Sequence, residues 1–505
     1  MAPEQGSAGS TVLEVAIIGG GFAGLGMGWH LKQAGIDSFL IFEKSSDIGG
    51  VWRENTYPGA ACDVPSHLYS FSFEPHYPWS CRYGKQAEIL EYQHHVARKY
   101  DLERHFRFGR EVSGAQFDEQ RGLWQVRFTG GATCEARVLV SAVGQLHRPA
   151  YPNIPGLQRF TGRAFHSARW DHGCSLRGKT VAVIGTGASA VQFVPEIARQ
   201  AARLYVFQRS PGWCIPKFDR RFAPWEQWLL RRFPVLYDLD RRRIFWLIEF
   251  LASAMLGRSL AGSLADALLK LQARLLLRAQ VPDPRLRRRL TPDYPIGCKR
   301  ILLSNDWLRT LASDRVELVT EPIAEVTATG PRTTDGRLRQ ADVIVYGTGF
   351  AASQFLAPME LKGSDGRFLH DRWMEGADAY LGVAVSGFPN FFMLYGPNTN
   401  LGAGSIIYML EAQARYIARC VELLRQRGLR SMEVRAEAQG LFAREMHRRS
   451  HSTSYEAGCH SWYTGPDGRN TNNWVGHMSE YGRRLRQPRL EDYALIPADQ
   501  RAVPA

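Results

Sequence analysis

Two glycine runs in this 505-residue chain have the spacing of phosphate-binding turns. The first, Gly19-Gly20-Gly21-Phe22-Ala23-Gly24, follows the apolar stretch Leu13–Ile18. In a G-x-G-x-x-G pattern Gly19 permits the tight turn after a strand, Gly21 lets the backbone approach a pyrophosphate, and Gly24 lets helix and strand pack closely. A helix starting there presents free N–H groups and the positive end of its dipole to phosphate oxygens. Glu43 closes the next apolar stretch, where a carboxylate can accept hydrogen bonds from both hydroxyls of a ribose. The pattern alone is weak, but strand, glycines, helix and acid fall here in order and predict a dinucleotide site suited to FAD.

The second run is Gly185-Thr186-Gly187-Ala188-Ser189-Ala190, with alanine in the third place. The strand after it ends Phe207-Gln208-Arg209-Ser210, with no acid where Glu43 stands in the first copy. A carboxylate there would repel a 2′-phosphate, and Arg209 does the reverse. Arg209 as an ordinary surface cation is the plainer reading, but the missing acid weighs against it. The second site is therefore expected to take NADPH.

These loops need strands and helices to hold them. Leu13–Ile18, a helix over 23–34 stopped by Gly35, and a strand over 38–42 form a βαβ opening, and an apolar strand over 138–143 ends at Gly144. Thr180–Ile184, a helix over 188–201 and a strand over 204–208 form a second unit. Between Trp225 and Arg289 the pattern turns helical, rich in Leu, Trp and Arg, before strands return at Val316–Val319 and 342–346. The tail after Gly402 reads as helical, then loop-rich over 452–476. The expected class is α/β, with two Rossmann-like dinucleotide-binding domains and a helical insert. The expected division is an FAD-binding domain in two parts (1–150 and 336–505), an NADP-binding domain in two parts (151–217 and 291–335), and an insert over 218–290.

Composition excludes several other classes. Hydrophobic residues make up 45% and charged residues 22%, as in an ordinary globular protein. The start, Met1 to Thr11, lacks the basic and apolar regions of a signal peptide. The 8 cysteines (Cys62, Cys81, Cys134, Cys174, Cys214, Cys298, Cys420 and Cys459) include no C-x-x-C pair. That spacing fits no disulfide framework, zinc site or dithiol reductase, so no metal is expected and a reducing cytoplasm is the expected compartment. Of the formal net charge of +14, residues 217–290 carry sixteen Lys/Arg against seven Asp/Glu. No nucleic-acid motif accompanies this charge, and nucleic-acid binding is not expected. The apolar segment 244–256 is too short to span a bilayer, which needs about 20 residues. A packed helix is expected there, with a weak contact of the basic insert with a membrane surface left open as the alternative.

Further stretches carry a family resemblance. Phe160-x-Gly162-x-x-x-His166-x-x-x-Trp170-Asp171, between the glycine runs, resembles the fingerprint of type I Baeyer–Villiger monooxygenases. Related flavin-containing monooxygenases usually end this pattern with a different aromatic and lack the aspartate. Gly49-Gly50-x-Trp52, then Tyr57-Pro58-Gly59 and Asp63, is similar to a second signature of that family. Residues 342–350, Gly387-Phe388-Pro389-Asn390 and Gly396-Pro397-Asn398 resemble further family stretches, although Gly347-Thr348-Gly349 replaces the commoner Ala-Thr-Gly. The resemblance covers roughly residues 12–485 and is weakest over 219–290. The stretch 342–350 resembles the strand that returns to the FAD domain.

The resemblance implies a reaction. NADPH reduces FAD, O2 adds at flavin C4a, and the deprotonated peroxide attacks a ketone, giving an ester or lactone. It implies Arg300 as the active-site cation and Asp63 as its acidic partner. An arginine suits an anion in a dry pocket because it stays protonated at any working pH. Lys299 resembles the lysine that joins Arg209 and Ser210 at the 2′-phosphate. Gln192 resembles a residue facing the NADP pyrophosphate, and Trp462 a loop tryptophan closing over the nicotinamide cofactor. Gly50 and Trp52 belong with the FAD. His166 and Trp170 are expected to couple domain motion to catalysis rather than to act as acid or base. The nearest alternative is a heteroatom monooxygenase acting on nitrogen or sulfur. Trp, Leu and Phe in the insert and tail suggest a lipophilic ketone. Neither the particular ketone nor the oligomeric state follows from the sequence.

Overall fold

A computed structural model describes residues 12–498 apart from 258, 459, 460, 466 and 467. The start at Met1 to Thr11 and Cys459, both invoked above, lie outside the described residues.

Two sheets organise the chain. The first runs in the order Glu360–Lys362, Val112–Asp118, Leu123–Phe128, Thr133–Ser141, Leu13–Ile18, Phe39–Glu43 and Phe106–Phe108, with Phe391–Met393 also pairing with Thr133–Ser141. Its heart is parallel: Leu13–Ile18 lies between Phe39–Glu43 and Thr133–Ser141. Val15, Ala16 and Ile17 are wholly buried, as expected of a central strand covered on both faces. The second sheet is all parallel, in the order Val316–Val319, Arg203–Phe207, Thr180–Ile184, Val343–Tyr346 and Arg163–His166. The α/β class with two Rossmann-like units stands.

The structure departs from the sequence reading in five places. The strand ending near Gly144 is longer and earlier, Thr133–Ser141. It is joined by the antiparallel strands Val112–Asp118 and Leu123–Phe128, which the reading omitted. Strand Val343–Tyr346 does not return to the first sheet. It pairs with Thr180–Ile184 and Arg163–His166, so the chain leaves the second sheet after Tyr346 rather than at 335. The helical tail is interrupted by a strand, Leu429–Val434, paired with Tyr493–Pro497. Cys298 is disulfide-bonded, against the expectation that the scattered cysteines form no bridge, while Cys62, Cys81, Cys134, Cys174, Cys214 and Cys420 are free.

The insert is helical, as expected: Pro224–Arg232, Pro234–Ala252, Leu260–Gln280 and Pro284–Arg289. The segment expected to be a packed helix is packed on one side only. Ile244 and Glu249 are buried, whereas Trp246 and Leu247 face solvent.

Candidate functional site

Each glycine run forms the turn between a strand and a helix. Gly19 adopts φ +111°, and a Cβ there would lie 2.6 Å from the Ala142 carbonyl oxygen. A Cβ on Gly24 would lie 2.1 Å from the Gly19 carbonyl oxygen, which no side chain can meet. Helix Phe22–Gln33 therefore packs against the end of strand Leu13–Ile18 only because position 24 is glycine. A second loop meets this turn: Gly50, at φ +53°, passes close to the Gly21 backbone. The result is a cradle of bare backbone of the kind a diphosphate occupies. Glu43 is buried at the strand end, and its carboxylate accepts hydrogen bonds from Gly20 N at 2.7 Å and Ser45 N at 2.8 Å. Trp52, beside Gly50, donates its indole N–H to the Tyr69 hydroxyl at 3.0 Å.

The second turn repeats the geometry with altered contacts. Gly185 adopts φ +110°, and a Cβ there would meet the Gly347 carbonyl oxygen at 2.3 Å. Ala190 replaces the third glycine and is wholly buried. A Cβ at position 347 would come within 3.2 Å of the Ala190 methyl group. Gly347 thus makes room for Ala190, which gives the departure from Ala-Thr-Gly a packing reason. At the strand end, the Lys299 ammonium donates to the Ser210 hydroxyl at 2.6 Å and sits 4.8 Å above the Tyr294 ring. Burial and the nearby Arg209 guanidinium hold the Lys299 pKa below its ordinary value. Two cations converge here with a hydroxyl; Asp293 acts on Lys299 only through space, and among the described residues no carboxylate forms an ion pair with either cation, an arrangement suited to a phosphate.

Both turns open into one cavity of about 1420 Å³, lined by Gly19, Gly21, Glu43, Gly50 and Trp52, by Gly185, Gly187, Arg209, Ser210 and Lys299, and by Asp63, Gln192, Arg300 and Trp462. Arg300 is surrounded by protein yet keeps a face toward this space. Burial opposes its charge, but Asp63 leads the interactions that more than offset this, and its pKa stands above the ordinary value. Burial pushes the Cys62 thiol and the Tyr463 hydroxyl up to about 12, so both stay protonated beside the guanidinium.

Asp63 is not in a direct ion pair with Arg300, contrary to expectation. Its Oδ1 accepts from the Gln192 amide at 3.1 Å and lies 3.4 Å from the Lys217 ammonium. It acts on Arg300 through space, as the leading charge favouring the protonated guanidinium. Lys217 is the residue the sequence reading missed. Its side chain is 9% exposed, and the parallel pair Cys214–Ile215 and Leu302–Leu303 carries Lys217 and Arg300 into the same region. The only sequence signal was a lone lysine after the apolar run Trp213-Cys214-Ile215-Pro216.

Gln192, expected to face a pyrophosphate, lines the cavity and also makes contacts within the protein. On helix Ala188–Ala198, it accepts from Tyr57 Oη at 3.0 Å and Ala61 N at 3.2 Å and donates to the Ala61 carbonyl at 2.9 Å. It ties the Asp63 loop to the second unit as well as bordering the cavity. Gly59 permits this contact, since a Cβ there would lie 2.7 Å from the Gln192 carbonyl oxygen.

None of the fingerprint residues lines the cavity. Gly162 lets strand Arg163–His166 run beside the Asp342 backbone, where a Cβ would come within 2.5 Å of a carbonyl oxygen, and would also strike the Phe160 ring. His166 is fully buried, and desolvation lowers its pKa to about 4. Its Nδ1 accepts from Ala168 N at 3.1 Å. A neutral, enclosed imidazole fits no acid–base role in the cavity. Trp170 packs on Phe165 and on Phe193 of the second unit's helix, and Asp171 pairs with Arg163 at 2.7 Å. Away from the cavity, His447, His451 and Glu456 cluster at a helix end, already joined by contacts of 3.1 and 2.9 Å.

Comparison with known proteins bears on this geometry. Residues 13–249 match a model of flavin-binding monooxygenase-like proteins. The chain is 44% identical to a Baeyer–Villiger monooxygenase of Pseudomonas aeruginosa, over 94% of this chain and 90% of that protein. It is 40% identical to another of Streptomyces coelicolor, over 96% and 93%. Among solved structures, an oxidised steroid monooxygenase bound to NADP superposes with a TM-score of 0.85, at 32% identity, covering 97% of this chain and all of that one. A closed form of cyclohexanone monooxygenase also gives 0.85, at 28% identity with the same coverage.

Proposed function

Since this chain belongs to the flavin-dependent Baeyer–Villiger monooxygenase family, we propose that it inserts one oxygen atom beside the carbonyl of a lipophilic ketone. The balance is ketone, O2, NADPH and a proton giving ester or lactone, water and NADP⁺. It is an NADPH-dependent flavoprotein monooxygenase. FAD, when bound, supplies hydride acceptance from NADPH and the activation of O2.

In this reading the first turn, with Gly19, Gly21, Gly24, Gly50, Trp52 and Glu43, holds FAD. The second, with Gly185, Gly187, Gln192, Arg209, Ser210 and Lys299, holds NADPH, and Trp462 borders its nicotinamide end. The FAD-binding part comprises residues 1–150 and those after Tyr346. The NADP-binding part comprises 151–217 and 291–346, around the insert 218–290. A cytoplasmic setting, where NADPH is supplied, belongs to the same reading.

The observation that carries the proposal is the enclosed Arg300 guanidinium in the cavity shared by both turns. A fixed cation there stabilises negative charge developing on oxygen beside the substrate carbonyl, and it gives up no proton to that oxygen. Asp63, held by Lys217 and Gln192, keeps the guanidinium charged without neutralising it by direct contact. A lost preorganised charge costs roughly a hundred- to a thousandfold in rate. Arg300→Ala is therefore expected to keep its FAD and to be reduced by NADPH, but to release hydrogen peroxide in place of ester. Stopped-flow reduction with product quantification on a ketone panel tests this. Wild-type ester yield from Arg300→Ala would overturn the assignment.

A further inference from the structure

The insert exposes apolar side chains to a degree found nowhere else among the described residues. Of 20 exposed large hydrophobic residues, 13 lie between Trp225 and Leu275. They include three tryptophans, Trp225, Trp228 and Trp246, each more than 60% exposed. Helix Leu260–Gln280 shows the pattern most clearly. Its buried face carries Gly262, Ala265, Leu269 and Ala273. Leu264, Leu268, Leu271 and Leu275, spaced as one helical stripe, face solvent. The small residues thus mainly face the protein and the large leucines face outward, the reverse of a helix that serves only its own core. An apolar surface this concentrated marks an interaction site.

The charge on the same helices is asymmetric. The insert's carboxylates are already engaged. Glu226 pairs with Arg220 at 2.7 Å, Asp240 contacts His67 at 2.8 Å, Asp238 contacts His76 at 3.1 Å, and Asp266 pairs with Lys270 at 2.8 Å. Glu249 is buried and accepts from the Met478 N–H and the Ser479 hydroxyl. Arg231, Arg232, Arg242, Arg274 and Arg278 are exposed and have no carboxylate partner among the described residues. The insert therefore offers exposed leucine, tryptophan and uncompensated arginine.

We propose that this insert docks the protein on an anionic lipid bilayer, with the leucines and tryptophans at headgroup depth and the arginines on lipid phosphates. Tryptophan and arginine flanking an apolar stripe are the side chains that an interfacial helix uses. No single helix among the described residues is long and apolar enough to cross a membrane; Pro234–Met255 and Leu260–Gln280 meet that test only together, as a pair bent by 94°, and the arginines along both helices favour a contact along the surface. A second copy of the chain would set like charge against like, whereas anionic headgroups complement it. The docking stands apart from the oxidation chemistry, because none of these side chains lines the cavity.

Flotation of the full-length, FAD-loaded protein tests it, with vesicles of pure phosphatidylcholine and of phosphatidylcholine mixed with phosphatidylglycerol. The protein is expected to float with the mixed vesicles at low salt and to float far less with the neutral ones. Each arginine near an anionic surface contributes roughly a fivefold gain in partitioning, so Arg231→Gln with Arg232→Gln should lower binding by about tenfold or more. Leu264→Glu with Leu271→Glu should abolish flotation while leaving flavin content, melting temperature and NADPH oxidation unchanged, since both positions face solvent. The proposal is overturned if the wild type sediments with both vesicle types. It is equally overturned if the double glutamate variant floats like the wild type, or if light scattering shows a dimer that this variant dissociates and no flotation occurs.

Discussion

The two glycine turns are one piece of architecture put to two uses. Both place a strongly positive φ at the first glycine, +111° at Gly19 and +110° at Gly185, and both press that residue against a carbonyl of a neighbouring segment. They part company at two points. The third position is a glycine forced by a 2.1 Å approach in the first turn, and an alanine accommodated by Gly347 in the second. The end of the following strand carries a buried carboxylate in the first and an exposed arginine beside a half-buried lysine in the second. The turn supplies the phosphate cradle, and the strand end selects which ribose is accepted.

The steric half of this comparison should yield the largest effect. Gly24→Ala drives a methyl group into a backbone oxygen that cannot move without reshaping the turn. Overpacking of this kind costs about 1–3 kcal/mol or more where flexible side chains absorb it, and a backbone atom absorbs less. The variant is expected to purify nearly colourless, with a lowered melting temperature. Normal flavin content by absorbance would break the claim that position 24 is sterically forced.

The electrostatic half comes next. Charge-assisted hydrogen bonds to a 2′-phosphate contribute about 1.5–3 kcal/mol each. Arg209→Ala with Lys299→Ala should then cut kcat/KM for NADPH by about a hundredfold or more. The value for NADH should hardly change, and neither should flavin content. Equal losses for both cofactors would mean that these cations hold the fold rather than read the phosphate.

Much of this arrangement was legible in the sequence because it is local. A turn that needs positive φ and bare backbone writes itself as glycine within six residues, and strand and helix follow within the next twenty-five. What was missed depends on long-range pairing. Lys217 acquires meaning only where Asp63, 154 positions away, receives it. Val343–Tyr346 reads as an apolar strand, but nothing in its own residues says which sheet accepts it. The same holds for Gln192, whose amide partners lie 129 to 135 positions away. The strand Leu123–Phe128 was different. Buried Trp124, Val126 and Phe128 alternate with outward Gln125 and Arg127, so a period of two was present and simply not read.

A pH series sharpens the contrast between the two strand ends. Only the second depends on a group that titrates as a cation. Lys299 must be protonated to hold a phosphate, and burial with Arg209 places its pKa below the ordinary 10.5. Its contribution is therefore present at neutral pH and lost as pH rises, beginning below the usual lysine range. The preference for NADPH over NADH should fall by about tenfold across that window. Arg209→Ala removes the repelling neighbour and should move the window to higher pH. A preference that stays flat as pH rises would exclude Lys299 from the phosphate contact.

The smallest effect is expected where the second turn is open. A Cβ at Gly187 would meet no atom within 4 Å. Its φ of −78° is accessible to any residue, and it stands at the N-terminus of helix Ala188–Ala198. Gly187→Ala should therefore fold like the wild type, with stability within about 0.5 kcal/mol and flavin content unchanged. The space the methyl group enters is where a pyrophosphate would approach the helix N-terminus. Crowding there by about 1 kcal/mol would raise the KM for NADPH roughly fivefold, and that for NADH by the same factor, because both cofactors carry the pyrophosphate. This parallel rise separates the role of the turn from that of the strand end, whose variants discriminate between the cofactors. If Gly187→Ala instead melted early or lost flavin, the second turn would be as sterically closed as the first. If it left both KM values untouched, the pyrophosphate would have to bind elsewhere in the cavity.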